Sequence, residues 1–409
     1  MQGMLRESVG LFALETLTLN HIICRVPLES LISSKNADLT ANATERIALM
    51  LKLIQLRTLE SSKWSRYINS LPVSFTTPVA LVDNNQIYSS IIQLLPLNES
   101  VTSKIKTLKS EFEAFGSSSY DDWLWADQVF WSRVLSVPAF SLDPESPHSS
   151  EALCMIPFLD FANHSFHPNC RWEVDVTSKS ILLITTCPVK SNSELTISYG
   201  DKPNSELLFI HGFSVPNNPH DTIAIPLRKT MEFVPEELQQ AKWDLLTDIL
   251  HSPRVLQLPW PLHPPTTLKS LLPVPILASL LVLSVSFEEG FNVIQDPAAD
   301  TNTFVIGDIP IMCFADVAAV YDSHAALQPV WDLRMVTILM TILAKYSAMT
   351  QFAQLEMQKY DGTTSQAPLA PLAVYVDSQM KFFEEWIAVL TGIQTTLMAD
   401  SRVQAFLSK

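Results

Sequence analysis

Asp160, Asn163, His164, His167 and Cys170 stand close together in the run Ile-Pro-Phe-Leu-Asp-Phe-Ala-Asn-His-Ser-Phe-His-Pro-Asn-Cys (156–170). His164, His167 and Cys170 recur at every third position beside Asp160, and such a set can hold zinc. Pro168 interrupts the helix that would align them, and no further ligand pair is evident, so no metal is expected. Taken alone, Asn163 reads as a turn residue and His164 as a hydrogen-bonded core histidine. A second run, Glu-Leu-Thr-Ile-Ser-Tyr-Gly-Asp-Lys (194–202), adds a tyrosine at the end of a strand-like segment. A third, Asn-Ser-Glu-Leu-Leu-Phe-Ile-His-Gly-Phe (204–213), adds His211 and Phe213 and leads into Asn217-Asn218-Pro219-His220-Asp221.

In this order and spacing the three runs resemble the C-terminal half of a SET domain. The branch they resemble includes the Rubisco large-subunit lysine methyltransferases and the actin-histidine methyltransferases. The segment Glu-Ser-Val-Gly-Leu-Phe-Ala (7–13) is similar to the family's opening G-x-G-[LV]-[FV]-A. Gly10 matches its second glycine, and Ser8 stands where the first belongs. Serine carries a Cβ and keeps a ligand slightly further away. Trp131-Ser132-Arg133-Val134 resembles the family's [W/L]-x-S-R-[A/V] segment, with one residue fewer between the tryptophan and the Ser-Arg pair.

The resemblance implies S-adenosylmethionine as cofactor and methyl transfer to a side-chain nitrogen of a protein, with lysine Nε as the expected acceptor. It places Glu7, Val9, Gly10, Ser132, Arg133, Asp160, Asn163, His164 and Tyr199 at the cofactor. Arginine can clamp a methionine carboxylate with two parallel hydrogen bonds. Tyr199 takes the place of the catalytic tyrosine. His211 and Phe213 fall in the substrate pocket, and His211 stands where the lysine-methylating relatives tend to carry a second tyrosine. That departure leaves lysine or histidine as acceptor open, and with it the number of methyls added. A SET-fold adaptor without turnover is the competing expectation. It is favoured by Ser8, His211 and a lead of six residues where the family has some twenty. The short lead raises the expectation of a truncated start and a lost transit peptide.

Methyl transfer from a sulfonium to an amine is an in-line displacement that needs neither a metal nor a covalent intermediate. Holding donor and acceptor at near-attack geometry can supply roughly 7–11 kcal/mol. The amine must also be neutral. With a pKa of about 10.4, lysine is only about a thousandth neutral near pH 7.4, a deficit of roughly 4 kcal/mol. A narrow, dry channel disfavours the ammonium and recovers part of it.

The elements that must position these residues are read from pattern. The resemblance implies an α+β fold. Its β-rich SET part, small sheets with a knotted crossing, is interrupted by a helical insert and followed by an all-α C-terminal domain. The boundaries expected are 1–31 and 136–227 for the two parts of the SET domain, 32–135 for the insert, and 228–409 for a helical substrate-binding domain of the Rubisco-methyltransferase type. Thr44 is a plausible N-cap for a helix presenting Ile47, Met50, Leu51 and Ile54. Trp64, Tyr67, Ile68 and Leu71 continue an amphipathic pattern stopped by Pro72. Helices are expected over 101–115 and from Tyr120, where Trp123, Trp125 and Trp131 read as core. The stretches 141–152 and 361–371 read as loops. The chain after Tyr199 reads as β-like to about Leu227. The seven prolines of 253–275 suggest a linker or irregular arm. Beyond it, helical stretches alternate with loops.

The chain has 409 residues, 47% of them hydrophobic and 17% charged, as expected of a globular protein of two or three domains. A net charge of −15 disfavours nucleic acid as partner and suits a protein substrate that is basic at its target site, arguing mildly for a non-histone one. The longest apolar runs, 276–287 and 335–344, are too short to span a membrane and read as buried helices. Five scattered cysteines with no CxxC pair suggest reduced thiols and an intracellular compartment, with chloroplast, cytoplasm and nucleus all open.

Overall fold

The structure is a computed structural model and describes residues 10–33, 43–59, 61–116, 118–138, 142, 150–261, 267–296, 301–360 and 368–408. Glu7, Ser8 and Val9, and most of the expected loops 141–152 and 361–371, lie outside the described residues. The chain divides into two compact units. The first comprises Met1–Ser90, Leu97–Lys202 and Glu206–Phe213; the second comprises Ile91–Pro96, Pro203–Ser205 and Ser214–Lys409.

The first unit opens with three short strands, β1 (Leu11–Phe12), β2 (Ile22–Pro27) and β3 (Ile32–Ser33). Among the described residues, helices follow at α1 (Glu45–Thr58), α2 (Ser65–Ile68), α3 (Pro78–Leu81), α4 (Gln86–Ile92, its last two residues counted with the second unit), α5 (Asn98–Phe115) and α6 (Tyr120–Arg133). Then come β4 (Leu135–Pro138), β5 (Glu151–Met155), β6 (Asn163–His164), β7 (Cys170–Asp175), β8 (Ser180–Thr185) and β9 (Glu194–Ile197). The Thr44 hydroxyl accepts from the Ile47 N–H at 3.3 Å, so α1 starts at the expected cap. The amphipathic pattern expected to run to Pro72 is instead divided: α1 stops at Thr58 and the short α2 ends at Ile68.

Three small three-stranded sheets result, ordered β1-β9-β6, β2-β8-β7 and β3-β5-β4. Strand β8, Ser-Ile-Leu-Leu-Ile-Thr, is buried along its length because it is the centre of its sheet. In the first sheet β9 pairs antiparallel with β1 and parallel with β6, setting Asn163 opposite Thr196 and His164 opposite Ile197. Segments from both ends of the unit thus meet on β9.

Helix α6 is fixed by a buried charge cluster. The Asp127 carboxylate, fully buried, accepts from Arg46 of α1 at 2.6 Å, from Lys104 of α5 at 2.8 Å and from the Trp131 indole at 3.1 Å. Of the three tryptophans read as core, Trp123 and Trp125 are buried, whereas Trp131 is 43% exposed.

The chain after Tyr199 is helical where a β-like course was expected. A helical turn, α7 (Asn204–Glu206), runs into a π-helical turn at Leu207–His211. The leucines at 207 and 208 are buried, and Gly212 ends the turn at φ +75°.

The second unit is mainly helical but includes two small sheets. Strand β10 (Ile223–Pro226) pairs with β11 (Val255–Leu258). Between them lie α8 (Leu227–Thr230) and α9 (Glu236–Asp244). The proline-rich segment is therefore no loose arm over its described residues. Leu256, Leu258, Leu268 and Leu271 are in the core, with Pro253 and Pro259 flanking the strand rather than interrupting it. Helices α10 (Leu268–Leu271) and α11 (Val274–Ser284) lead into a meander of β12 (Phe291–Asp296), β13 (Thr301–Ile306) and β14 (Ile309–Pro310). Helices α12 (Phe314–Ser323), α13 (Gln328–Gln358), α14 (Ala370–Met398) and α15 (Ser401–Leu407) complete it. The apolar runs at 276–287 and 335–344 fall largely within α11 and α13. Among the described residues no helix is long and apolar enough to cross a membrane.

Candidate active site

The end of α6, the turn after β5, the end of β9 and the π-helical turn close around a cavity of about 310 Å³ in the first unit. Arg133, Asp160, Tyr199, Lys202, Glu206 and His211 are on its wall, as is Trp131.

One part of the wall is charged. Asp160 is at the centre of a short 3-10 turn at Leu159–Phe161, entered through Phe158 at φ +75°, a conformation uncommon for a residue with a Cβ. The Asp160 side chain is 1% exposed. Arg133 donates from Nη1 to the Asp160 carbonyl at 2.9 Å and to Asp160 Oδ2 at 3.4 Å, and its guanidinium lies 5.2 Å from the Phe161 ring centre. Tyr67 of α2 donates its hydroxyl to the same carboxylate oxygen. Burial pushes the Asp160 carboxyl up to about 6, against the pull of Arg133 and the Tyr67 hydroxyl. Asp160 Oδ1 and Arg133 Nε remain buried without hydrogen-bond partners. An unmet acceptor and an unmet donor on one wall suit a ligand that carries both signs, such as an amino-acid end with its ammonium and carboxylate.

Tyr199 and His211 on the wall belong to an aromatic cluster that extends behind it to His164 and Phe213. The rings of His164 and Tyr199 are 5.3 Å apart, those of Tyr199 and His211 4.9 Å, and those of His211 and Phe213 5.9 Å, all mutually tilted. The Tyr199 N–H donates to His164 Nδ1 at 3.0 Å, which places the neutral imidazole's proton on Nε2. The Tyr199 hydroxyl donates to the Ala162 carbonyl at 2.9 Å, leaving the phenol oxygen's lone pairs as acceptors. Burial pushes the phenol up to about 12, so Tyr199 is protonated at neutral pH and serves as an orienting group rather than a base. Burial, reinforced by Lys202 and His164 and opposed by the Ser132 carbonyl, holds His211 down at about 4, so its imidazole is neutral.

Gly10 packs against a polar pair at the start of β1. Asn163 donates from Nδ2 to Glu194 Oε1 at 2.6 Å, and a Cβ on Gly10 would come within 2.6 Å of that oxygen and 2.8 Å of the amide nitrogen. Only glycine lets the chain lie this close to the pair.

The structure therefore gathers Arg133, Asp160, His164, Tyr199, His211 and Phe213 into one site, with Gly10 and Asn163 paired beside it through β1-β9-β6. Ser132 lines the cavity, but its hydroxyl turns back to donate to the Gln128 carbonyl at 2.6 Å. His167 is exposed and Cys170 is buried in β7. Among the described residues no three His, Cys, Asp or Glu side chains form a group able to hold a metal.

Sequence reasoning gave no role to Tyr67, Glu194, Lys202 or Glu206. Glu194 and Lys202 were visible at the two ends of the second run. Lys202 and Glu206 form an i,i+4 ion pair, a spacing that could have been read directly. Nothing in the sequence signals the Tyr67–Asp160 contact, which spans 93 positions.

Residues 8–200 match the family described as the SET domain. The ribosomal lysine N-methyltransferase of Schizosaccharomyces pombe is 30% identical over 175 residues, covering 40% of this chain and 30% of that protein. The actin-histidine N-methyltransferase of Homo sapiens is 23% identical over 248 residues, covering 54% of this chain and 40% of that protein. Against these two, the chain spans well under half of the relative's length. Among solved structures, the SET domain of LSMT bound to lysine and AdoHcy superposes with a TM-score of 0.66 at 18% identity, covering 95% of this chain and 86% of that one. Rubisco LSMT bound to AdoMet superposes with a TM-score of 0.64 at 15% identity, covering 95% and 86%. The fold is that of these proteins.

Proposed function

We propose that this chain, whose residues 8–200 form a SET domain, transfers a methyl group from S-adenosylmethionine to a side-chain nitrogen of a protein, with lysine Nε as the acceptor. The observation that carries the reading is one cavity with an unmet donor and acceptor on Arg133 and Asp160 and the Tyr199 phenol on the same wall. S-adenosylmethionine supplies an activated methyl on its sulfonium. Arg133 would hold the carboxylate of its methionine part, and Asp160, ionised above about pH 6, would face the ammonium. Gly10 and Asn163 would shape the backbone cradle beside them.

Tyr199 orients the incoming amine. Its hydroxyl proton is committed to Ala162, so the oxygen can accept an N–H from the amine or weak C–H contacts from the methyl. Neutral His211 and the Phe213 ring line the acceptor side. They present no negative charge that would stabilise an ammonium, which favours the neutral amine. The second unit we propose as the substrate-binding part. The chain's net charge of −15 suits a substrate that is basic around its target.

The test is calorimetric titration with S-adenosylmethionine, followed by labelled-methyl transfer onto basic-peptide arrays. Micromolar binding with Tyr199→Phe retaining affinity but losing transfer supports the reading. Failure of the wild-type chain to bind the cofactor overturns it. Binding without transfer would favour the adaptor.

A further inference from the structure

Asp160 and Arg133 are carried by separate elements, a 3-10 turn and the last residue of α6, yet they must hold a fixed geometry. Asp160 is met on its other side by α2. Tyr67 donates its hydroxyl to Asp160 Oδ2, the oxygen that also faces Arg133, and its ring stands edge-on to Phe161 at 6.0 Å. Tyr67 therefore shares Oδ2 with Arg133 and leaves Oδ1 without a partner.

Resting on the methyltransferase reading, we propose that Tyr67, a residue of the helical insert, is the positioning residue of the cofactor end of the cavity. It fixes the Asp160 carboxylate in orientation and charge, and through it the Arg133 guanidinium. It is not a catalytic residue, since its hydroxyl bonds to Asp160 and it is not on the cavity wall. The titratable and charged groups facing Asp160 are Arg133 from α6, Tyr67 from α2 and Tyr199 beyond β9. Lys202, Glu206 and His211 share the cavity wall. Of the groups that bond to Asp160, Tyr67 is the one that can be made apolar with almost no change of shape.

The test compares wild type, Tyr67→Phe and Trp64→Phe. Trp64, in the same helical turn, donates its indole N–H to the Ser30 carbonyl at 2.8 Å, so its variant also removes a hydrogen bond from this turn but leaves Asp160 untouched. Two quantities are followed from pH 5 to 8.5: S-adenosylhomocysteine affinity by calorimetry, and the melting temperature relative to Asp160→Asn in the same background. The Tyr67 hydroxyl stabilises the ionised carboxylate, so its loss moves the Asp160 ionisation upward. One hydrogen bond to a charged group corresponds to about one pH unit or more, and a shift of one unit to about threefold weaker binding near pH 6.5. Trp64→Phe lowers the melting temperature without moving the midpoint.

Equal midpoints and equal affinities in wild type and Tyr67→Phe overturn the proposal. So does a Trp64→Phe profile that matches Tyr67→Phe. If the melting midpoint shifts while even wild type ignores S-adenosylhomocysteine, the methyltransferase reading fails and the positioning of Asp160 by Tyr67 stands.

Discussion

Asp160→Asn should make the free protein more stable at neutral pH and a poorer cofactor binder. In the folded chain the Asp160 side chain is 1% exposed, and burial lifts its carboxyl from the ordinary 3.8 to about 6. A raised carboxyl binds its proton more tightly in the folded state. Its contribution to stability is therefore full below about pH 3.8 and is lost as pH rises through about 6. A rise of about two pH units at about 1.4 kcal/mol each gives about 3 kcal/mol of destabilisation above pH 6. The amide removes that cost but weakens the hold on Arg133, so 3 kcal/mol is a ceiling and a gain of about 1–2 kcal/mol is expected. For a unit of roughly this size that is a rise in melting temperature of about 2–8 °C.

Thermal denaturation of the two proteins side by side from pH 4 to 8 measures it. The gap should be small at pH 4, open between pH 4 and 6, and hold steady above. Using the difference cancels carboxylates shifted the other way, such as Glu289 and Asp316. A variant less stable than wild type at pH 7.5, or a gap that does not change with pH, refutes the reasoning. The same variant should bind S-adenosylhomocysteine at least tenfold more weakly at pH 7.5, the cost of one charged hydrogen bond.

Asp127→Ala should cost about 3–5 kcal/mol in urea denaturation, because it removes the carboxylate of a buried ion pair from Lys104 and leaves Arg46 with Glu111 alone, and removal of one partner from a buried ion pair costs that much. Gly10→Ala should separate Asn163 from Glu194, costing about 1–3 kcal/mol as an overpacked contact and weakening cofactor affinity in calorimetry. His211, held down at about 4, should show no imidazole titration by NMR between pH 5 and 8, and Lys202→Met should move its titration upward. Because that pKa is depressed in the folded state, the stability linked to His211 is full above about 6.5 and lost as pH falls toward 4.

The aromatic part of the site was legible because its residues lie in contiguous runs. Asn163 and His164 form β6, paired with β9, and Tyr199 follows β9 by two residues, so local patterns carry their positions. His211 was legible from its place before Gly-Phe, although the turn that carries it was misread. Buried leucines at 207 and 208 with a glycine stop are helix signals that the preceding strand overshadowed. The strand at 255–258 was hidden by flanking prolines, which read as breakers, although its alternation, with Leu256 and Leu258 buried, is plain. The charged wall was legible only in part. Periodicity placed Tyr67 on a core-facing helical stripe, but a stripe says nothing of where a hydroxyl points.

That division follows from how the site is built. Strands that pair with each other fix backbone register to within a residue, and side chains on them inherit it. A guanidinium at the end of a helix has no such register. Arg133 reaches Asp160 from the end of a helix anchored at Asp127 to Arg46 and Lys104, and Asp160 itself accepts from Tyr67. The aromatic wall should thus tolerate loosening of the insert, whereas the charged wall should not. Asp127→Asn, milder than the alanine variant, tests this. It should weaken S-adenosylhomocysteine binding while the His164–Tyr199 contact, followed through His164 ring shifts by NMR, stays in place. Retained affinity with a disturbed His164 would mean that the insert supports the strands instead.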